Sequence, residues 1–181
     1  MHMAKAIETF RSWAETVRVD VDAFKQLLES PTADNASRQL AAAALGYLIS
    51  KMDLIPDWNE GIGMIDDVMI LRVCGLLTQG HPHGALPTSA EATLGRLSNE
   101  ADIIAEFLGA ATFEKFKVHC AKLVDQAVRG RTTTQLLGDA QLRTALYAEV
   151  AEELQKSVPI VIADLDDAEV RLKSYLTQKL R

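Results

Sequence analysis

Apolar residues recur every three or four positions along most of the chain, a spacing that is typical of amphipathic α-helices. The pattern is clearest in residues 89–108, where it places five apolar side chains on one face: Leu94, Leu97, Ala101, Ile104 and Leu108. The same rhythm occurs in residues 4–17, 112–129, 139–156 and 164–180. The pattern therefore predicts an all-α protein, a bundle of six to eight helices.

Two segments near the middle are apolar on almost every face. Residues 36–51 contain QLAAAALGYLIS, and residues 64–79 contain MIDDVMILRVCGLL. A helix that is apolar all round is buried, either in lipid or in protein. The second segment is interrupted by Arg72, and no stretch reaches the ~20 apolar residues that cross a bilayer. We therefore expect these two helices to form an antiparallel hairpin at the centre of the bundle.

Residues 79–88, QGHPHGALPT, contain two glycines and two prolines and are the clearest linker in the chain. They separate residues 1–79, the N-terminal helices plus a hairpin with its core at 36–79, from a helical region at 88–181. We expect both parts to pack in one domain. The β-like stretch PIVIAD, residues 159–164, has no partner strand, so a loop or continued helix is expected there.

The composition fits a globular protein, with 48% hydrophobic and 24% charged residues and a net charge of -6. No block of lysine or arginine stands out, which argues against a nucleic-acid partner. Cys74 and Cys120 lie in apolar helical segments and are interpreted as reduced core residues. Residues 1–8 lack the apolar segment of a secretory signal. The expected location is cytoplasmic, with membrane association left open.

The most unusual stretch lies between the two central helices. Residues 53–67 read DLIPDWNEGIGMIDD and contain four aspartates in fifteen positions: Asp53, Asp57, Asp66 and Asp67. This much negative charge at the turn of the most hydrophobic segment has two physical explanations, namely a turn that needs capping groups or a site that needs oxygen ligands.

Under the capping interpretation every residue of the turn has a structural task. Asp53 accepts bonds from the amides that follow it. Pro56 fixes the backbone φ angle, and Gly63 lets the chain reverse. Asp66 and Asp67 lie in the first turn of the next helix, where a carboxylate stabilises the helix dipole by roughly 0.3–1 kcal/mol. No cofactor is needed in this interpretation.

Under the second interpretation the same four aspartates bind a divalent metal ion. The hairpin brings both ends of the stretch together, and Mg²⁺ and Ca²⁺ prefer carboxylate oxygens. The protein would then be a metal-dependent enzyme, most plausibly a hydrolase. The Glu-x-x-His pairs of di-iron bundles and the G-x-S-x-G motif of serine hydrolases are absent from the sequence.

Three weaker features complete the candidate chemistry. Trp58 is a large aromatic residue in a polar turn, and it either folds back onto the hairpin or serves as an anchor for a partner or a membrane interface. His81 and His83 flank a proline in the linker and are interpreted as exposed residues. His119 lies on a helix and is interpreted as a packed or half-exposed side chain.

The stretch from Tyr47 to Asp67 resembles the YkvA-like family, domain of unknown function 1232 (DUF1232), over about residues 36–77. The motif residues that match are Tyr47, Leu48, Ile49, Ser50, Asp53, Leu54, Ile55, Pro56, Asp57, Gly63, Asp66 and Asp67. Lys51 stands where the family has a proline, and the loop WNEGIG differs from the usual family loop. The resemblance implies a helical hairpin of unestablished activity in a family with many membrane-associated members, and it implies no catalytic residues.

Two classes of function remain. The first is a non-enzymatic interaction or scaffold protein that binds another protein or a second copy of itself, with a peripheral membrane contact as an addition. The second is the metal-dependent hydrolase. The sequence favours the first, because it carries an excess of apolar helix surface and no catalytic triad.

Overall fold

The computed structural model describes residues 3–50, 53–56, 62–156 and 161–180, and its regular elements are helices. The α-helices are α1 (Met3–Ser12), α2 (Val17–Glu29), α3 (Asn35–Tyr47), α4 (Ile65–Thr78), α5 (Thr88–Leu108), α6 (Ala110–Lys122), α7 (Thr133–Gly138), α8 (Ala140–Lys156) and α9 (Leu165–Lys179). The prediction of an all-α helical bundle is confirmed.

Helices α3 and α4 form the expected antiparallel hairpin. At one end, the amide of Asp34 before α3 donates to the carbonyl of Pro82 after α4, at 2.9 Å. At the other end, Tyr47 in the last turn of α3 bonds to Asp66 in the first turn of α4. The start of each helix therefore lies beside the end of the other.

Helix α4 is the centre of the molecule. It packs against α3, α5 and α6, and eleven of its 14 residues are buried. Helix α2 covers α3 and α5 on one side, and α9 returns to pack on α1. The apolar pattern of residues 64–79 therefore corresponds to burial in protein on every face.

The N-terminal segment differs from the single helix expected at residues 4–17. Helix α1 ends at Ser12, and a 3-10 helix over Trp13–Thr16 leads into α2. The Thr16 hydroxyl lies 3.0 Å from the carbonyl oxygen of Trp13 and 2.9 Å from Asp20 Oδ2. This side chain competes with the regular backbone bonds, as Ser and Thr side chains do near helix ends.

The segment after α6 also differs from the expected helix at residues 112–129. Helix α6 ends at Lys122, and an isolated antiparallel bridge joins Val128 to Arg131 around Gly130, which has φ +78°. The short helix α7 then begins at Thr133, and the side chains of Thr132, which precedes it, and Gln135 form a reciprocal capping box. This helix was not predicted, since six residues give too short a periodic pattern.

The linker is bonded to the turn between α2 and α3. The carbonyl of Pro82 accepts from the amide of Asp34 and from Ser37 Oγ, and the amide of Ala85 donates to Thr32 Oγ1 at 2.9 Å. The hydrophobic core contains residues from before and after this segment. The division of the chain at residues 79–88 and the single-domain organisation stay predictions.

Within the described ranges, no helix combines the length and the apolarity that a membrane span requires.

Candidate functional site

A buried group of hydrogen bonds closes the hairpin at the aspartate-rich turn. The hydroxyl of Tyr47 donates to Asp66 Oδ2 at 2.6 Å and accepts from the backbone amide of Leu54 at 2.8 Å. The amide of Ile55 donates to the same Asp66 oxygen at 3.1 Å. We call this group, consisting of Tyr47, Asp66 and the amides of Leu54 and Ile55, the turn clasp. It binds both helices of the hairpin to the backbone between them.

The local sequence explains how the clasp forms. Helix α3 closes with tight turns in which the amides of Ile49 and Ser50 donate to the carbonyls of Gly46 and Tyr47. Leu54 and Ile55 are buried, at 3% and 0% exposure. Burying these side chains brings their amides into the core, where each amide needs an acceptor. Tyr47 and Asp66 supply the acceptors.

The electrostatics of the clasp keep the tyrosine neutral. Burial, followed by the charge of Asp66 and its hydrogen bond, raises the pKa of Tyr47 well above its ordinary value. The hydroxyl is therefore a fixed donor at physiological pH. Asp66 has no exposed surface. Both side chains are placed to hold structure, and neither is placed to exchange protons with solvent.

A pocket of about 230 Å³ lies beside the clasp. Asp67 and Arg18 contribute opposite charges to its lining, and Gln155 contributes an amide. The rest of the lining is apolar and includes Leu48, just after α3, and Met64, just before α4. The pocket suits a small group with both polar and apolar parts.

A second buried polar group joins α4 to α2 and α5. Arg72 has no exposed surface, and it donates from Nη1 to Asp20 Oδ2 at 3.1 Å and from Nε to Glu100 Oε2 at 2.9 Å. Arg96 bonds to both of these carboxylates. The ring of Trp13 lies 4.3 Å from the guanidinium carbon of Arg72. We call Arg72, Asp20, Glu100 and Arg96 the ion network.

The ion network balances two positive and two negative groups, of which Arg72 and Asp20 have no exposed surface and Arg96 and Glu100 are partly exposed. Burial lowers the pKa of Arg72, while the charges of Asp20 and Glu100 oppose that effect. For the less buried Arg96, burial is outweighed by Asp20 and Glu100, which raise its pKa. A buried ion pair with all of its donors bonded is costly to break by removing one partner.

Comparison with known proteins gives one match. Residues 38–72 match the family model described as protein of unknown function (DUF1232). The resemblance of this segment to DUF1232 is confirmed. The match covers less than half of the chain, and α5 to α9 lie outside it. Neither a curated protein nor a solved structure matches the chain.

The DUF1232 segment contributes residues to both buried groups. It spans Tyr47 and Asp66 of the turn clasp, and its last residue is Arg72 of the ion network. Its matched positions therefore include the polar side chains that attach the hairpin to its own turn and to its neighbouring helices.

The structure brings together only some of the residues singled out in the sequence. Tyr47 and Asp66 meet in the clasp, whereas Asp67 faces the neighbouring pocket. Asp53 and Pro56 are half-buried. Gly63 is buried. Two further candidates, Asp57 and Trp58, lie outside the described residues.

In the part of the chain that the structure describes, no cluster of possible metal ligands supports the metal-site interpretation. No three residues among the histidines, cysteines, aspartates and glutamates of this part converge on one point. Asp66, one of the four candidate ligands, uses its Oδ2 to accept two hydrogen bonds within the clasp. The contribution of Asp57 is not described, so the four-aspartate site stays a prediction.

Sequence reasoning did not identify the ion network. It used Arg72 only as an argument against a membrane span. Asp20, the partner of Arg72, is buried inside α2. A usable signal was present, because an arginine in an otherwise apolar helix requires a buried counter-charge. The identity of that partner, 52 positions away, needed the tertiary structure.

Proposed function

We propose that this protein acts by binding and not by catalysis, as an interaction or scaffold protein whose DUF1232 hairpin presents its connecting turn to a partner. The proposed partner is another protein chain. A second copy of the protein and a lipid surface are the other occupants that the test below distinguishes. The proposal includes a cytoplasmic location.

The turn clasp is the observation that supports this proposal. Asp66 has no exposed surface, and its Oδ2 bonds to Tyr47 and to the amide of Ile55. A hydrolytic metal site needs carboxylates that reach an ion, a water molecule and a substrate together. The geometry of Asp66 suits the opposite task, which is to hold residues 53–56 in a fixed position.

The ion network supports the same interpretation. Its charged groups are bonded to one another between α2, α4 and α5, and Arg72 has no exposed surface. Such an arrangement fixes the position of α4 relative to its neighbours. A rigid hairpin in which the backbone of Leu54 and Ile55 is hydrogen-bonded suits the presentation of a binding loop, because loops on rigid elements lose less freedom on binding.

The first test is site-specific cross-linking from position 58. A photoreactive phenylalanine analogue replaces Trp58, and a matched variant carries it at Val170, which is 68% exposed on α9. In cells that naturally produce the protein, we expect one discrete adduct with a protein from position 58 and none from position 170. An adduct with a second copy or with lipid would identify those occupants instead. Equal cross-linking from both positions, or none from position 58, would contradict the proposal.

The second test addresses catalysis directly. Calorimetric titration with Mg²⁺, Ca²⁺, Mn²⁺ and Zn²⁺ should give no saturable heat. The matched control is the Asp53→Asn, Asp57→Asn double variant. Saturable binding by the unmodified chain that this variant loses would support the metal-dependent hydrolase and overturn the proposal.

A further inference from the structure

A pocket lined largely by basic residues lies between α6 and the end of α9, away from the DUF1232 segment. Its volume is about 320 Å³, which falls within the usual size range of small-molecule sites. Its lining consists of Glu114, Lys115, Val118, His119, Lys122, Lys179 and Leu180. We call it the basic pocket.

The lysines of the basic pocket differ from the other lysines in their pairing. Lys25, Lys117, Lys156 and Lys173 each have a carboxylate oxygen within 4.0 Å. Among the side chains that the structure describes, Lys115, Lys122 and Lys179 have none, and all three line this pocket. In a chain with a net charge of -6, the described lysines without a carboxylate partner are thus concentrated at one place.

The helix dipole explains the positions of only two of the three lysines in the basic pocket. Lys122 and Lys179 lie in the last turns of α6 and α9, where a positive side chain is favourable. Lys115 lies in the first half of α6, where the dipole gives it no such advantage. Glu114, the acidic residue of the lining, is paired with Lys117 at 2.7 Å and does not neutralise the three lysines.

His119 gives an independent indication of a ligand. It lines the pocket, and its Nε2 atom is buried without a hydrogen-bond partner among the described groups. Burial, followed by the charge of Lys122, lowers the pKa of His119, so the imidazole is neutral at pH 7. A buried polar atom normally has a partner, either in the protein or in an ordered water molecule, and here the imidazole lines a pocket large enough for a ligand.

The remaining lining is apolar. Val118 is 52% exposed, which is unusual for a large apolar side chain in this protein, and Leu180, after α9, also lines the pocket. A ligand that fits both parts of the lining carries an anionic group for the lysines and a small apolar group for Val118.

We propose that the basic pocket binds a phosphate monoester with a small apolar substituent. Three ammonium groups match the charge of about -1.5 to -2 that a phosphate monoester carries near pH 7, better than they match the single charge of a carboxylate. Lysine binds phosphate as a point charge, so no bidentate geometry is needed. The phosphate is either that of a soluble metabolite or that of a lipid headgroup.

The test compares two charge-matched variants by calorimetry at pH 7, with phenyl phosphate as the probe. The Lys115→Gln, Lys122→Gln variant removes two charges from the pocket, and the Lys25→Gln, Lys156→Gln variant removes two charges elsewhere. We expect saturable binding that weakens about tenfold or more in the first variant and stays unchanged in the second. Phenylacetate, a single-charged control, should bind more weakly than phenyl phosphate.

A vesicle-binding experiment distinguishes a lipid headgroup from a soluble phosphate monoester. Flotation uses vesicles of phosphatidylcholine with and without phosphatidic acid, whose headgroup is a phosphate monoester. Flotation only with phosphatidic acid, lost in the pocket variant, would assign a lipid headgroup, and phenyl phosphate binding without flotation would assign a soluble ligand. Absence of both, or equal binding by the two variants with unchanged thermal melts, would overturn the proposal. Cross-linking at position 58 reports on a different region, so the two proposals fail independently.

Discussion

Helices α4 and α8 are similar in length but opposite in environment. Helix α4 buries eleven of its 14 residues, whereas α8 buries only Leu146 and Val150 among its 17. The polar side chains buried in α4 therefore find partners inside the protein, as Asp66 and Arg72 do. The polar side chains of α8 are not buried and can form hydrogen bonds with water. The same substitution should have a large effect in α4 and a small one in α8.

The largest effect is expected from Arg72→Met. This change leaves Asp20 and Glu100 without one of their two arginine partners, and losing one partner of a buried ion pair costs about 3–5 kcal/mol of unfolding free energy. Urea denaturation measures the loss. The control in α8 is Glu152→Gln, whose exposed pair with Lys156 should contribute little. Similar losses in both variants would remove the distinction between the two helices.

The next effect is expected from Tyr47→Phe. The variant keeps the ring but leaves Asp66 Oδ2 and the amide of Leu54 each without one bond, which should cost about 1–3 kcal/mol. Tyr147→Phe in α8 is the matched control, since its hydroxyl donates to the partly exposed Glu29. Equal denaturant midpoints for the two variants would show that the turn clasp does not stabilise the hairpin.

Two glycine substitutions test how tightly α4 is packed. A Cβ atom at Gly75 in α4 would lie 2.7 Å from Cβ of Leu97, so Gly75→Ala should destabilise the protein by about 1–3 kcal/mol. A Cβ atom at Gly95 in α5 meets nothing within 4 Å, so Gly95→Ala should stabilise it by about 0.4–1 kcal/mol. Thermal melts of both variants check the opposite signs, and a stable Gly75→Ala protein would contradict the close approach of α4 and α5.

The pH dependence of the turn clasp should appear on the alkaline side. The folded protein raises the pKa of Tyr47 above its unfolded value of about 10, so its contribution is complete below about pH 10 and is lost as pH rises further. Unfolding free energy should therefore fall above about pH 10, and less steeply in Tyr47→Phe. Tyr147 is still present in that variant, and its pKa is also raised by burial and by Glu29. Part of the fall in unfolding free energy above about pH 10 should therefore remain.

The smallest effect is expected from Glu149→Gln in α8. A hydrogen bond from Arg131 is the main cause that lowers the pKa of Glu149, and Arg129 adds to it. Its stabilising contribution is present above the ordinary glutamate pKa of about 4.3 and is lost as pH falls through the folded value. Because the pair is partly exposed, the loss at pH 7 should stay within about 1 kcal/mol and vanish in acid. A loss that persists in acid would contradict the ion-pair origin.

Periodicity was sufficient to predict the helical class and the central hairpin. The apolar pattern of residues 36–51 and 64–79 corresponds to α3 and α4, although α3 ends at Tyr47, four residues earlier than expected. The break at Trp13–Thr16 was not predicted, because the Thr16 hydroxyl that bonds locally to Trp13 and Asp20 also accepts a bond from Arg72, 56 positions away. A helix pattern in a sequence contains no information about such distant partners.

The candidate site was predicted in part for the same reason. Asp66 and Asp67 were placed correctly in the first turn of α4. These two residues are adjacent in the sequence, but their surroundings differ. Asp66 accepts a hydrogen bond from Tyr47 inside the hairpin, whereas Asp67 lines a pocket. Which side chain turns inward depends on the position of Tyr47 across the hairpin, which sequence spacing alone does not specify.

The turn clasp has a consequence for how this protein can change in evolution. It holds Leu54 and Ile55 through their backbone amides, and every residue type except proline has such an amide. The hydrogen bonds that the clasp makes at positions 54 and 55 are therefore independent of the side-chain type there, and substitutions at these two positions that keep the buried volume should leave those hydrogen bonds in place.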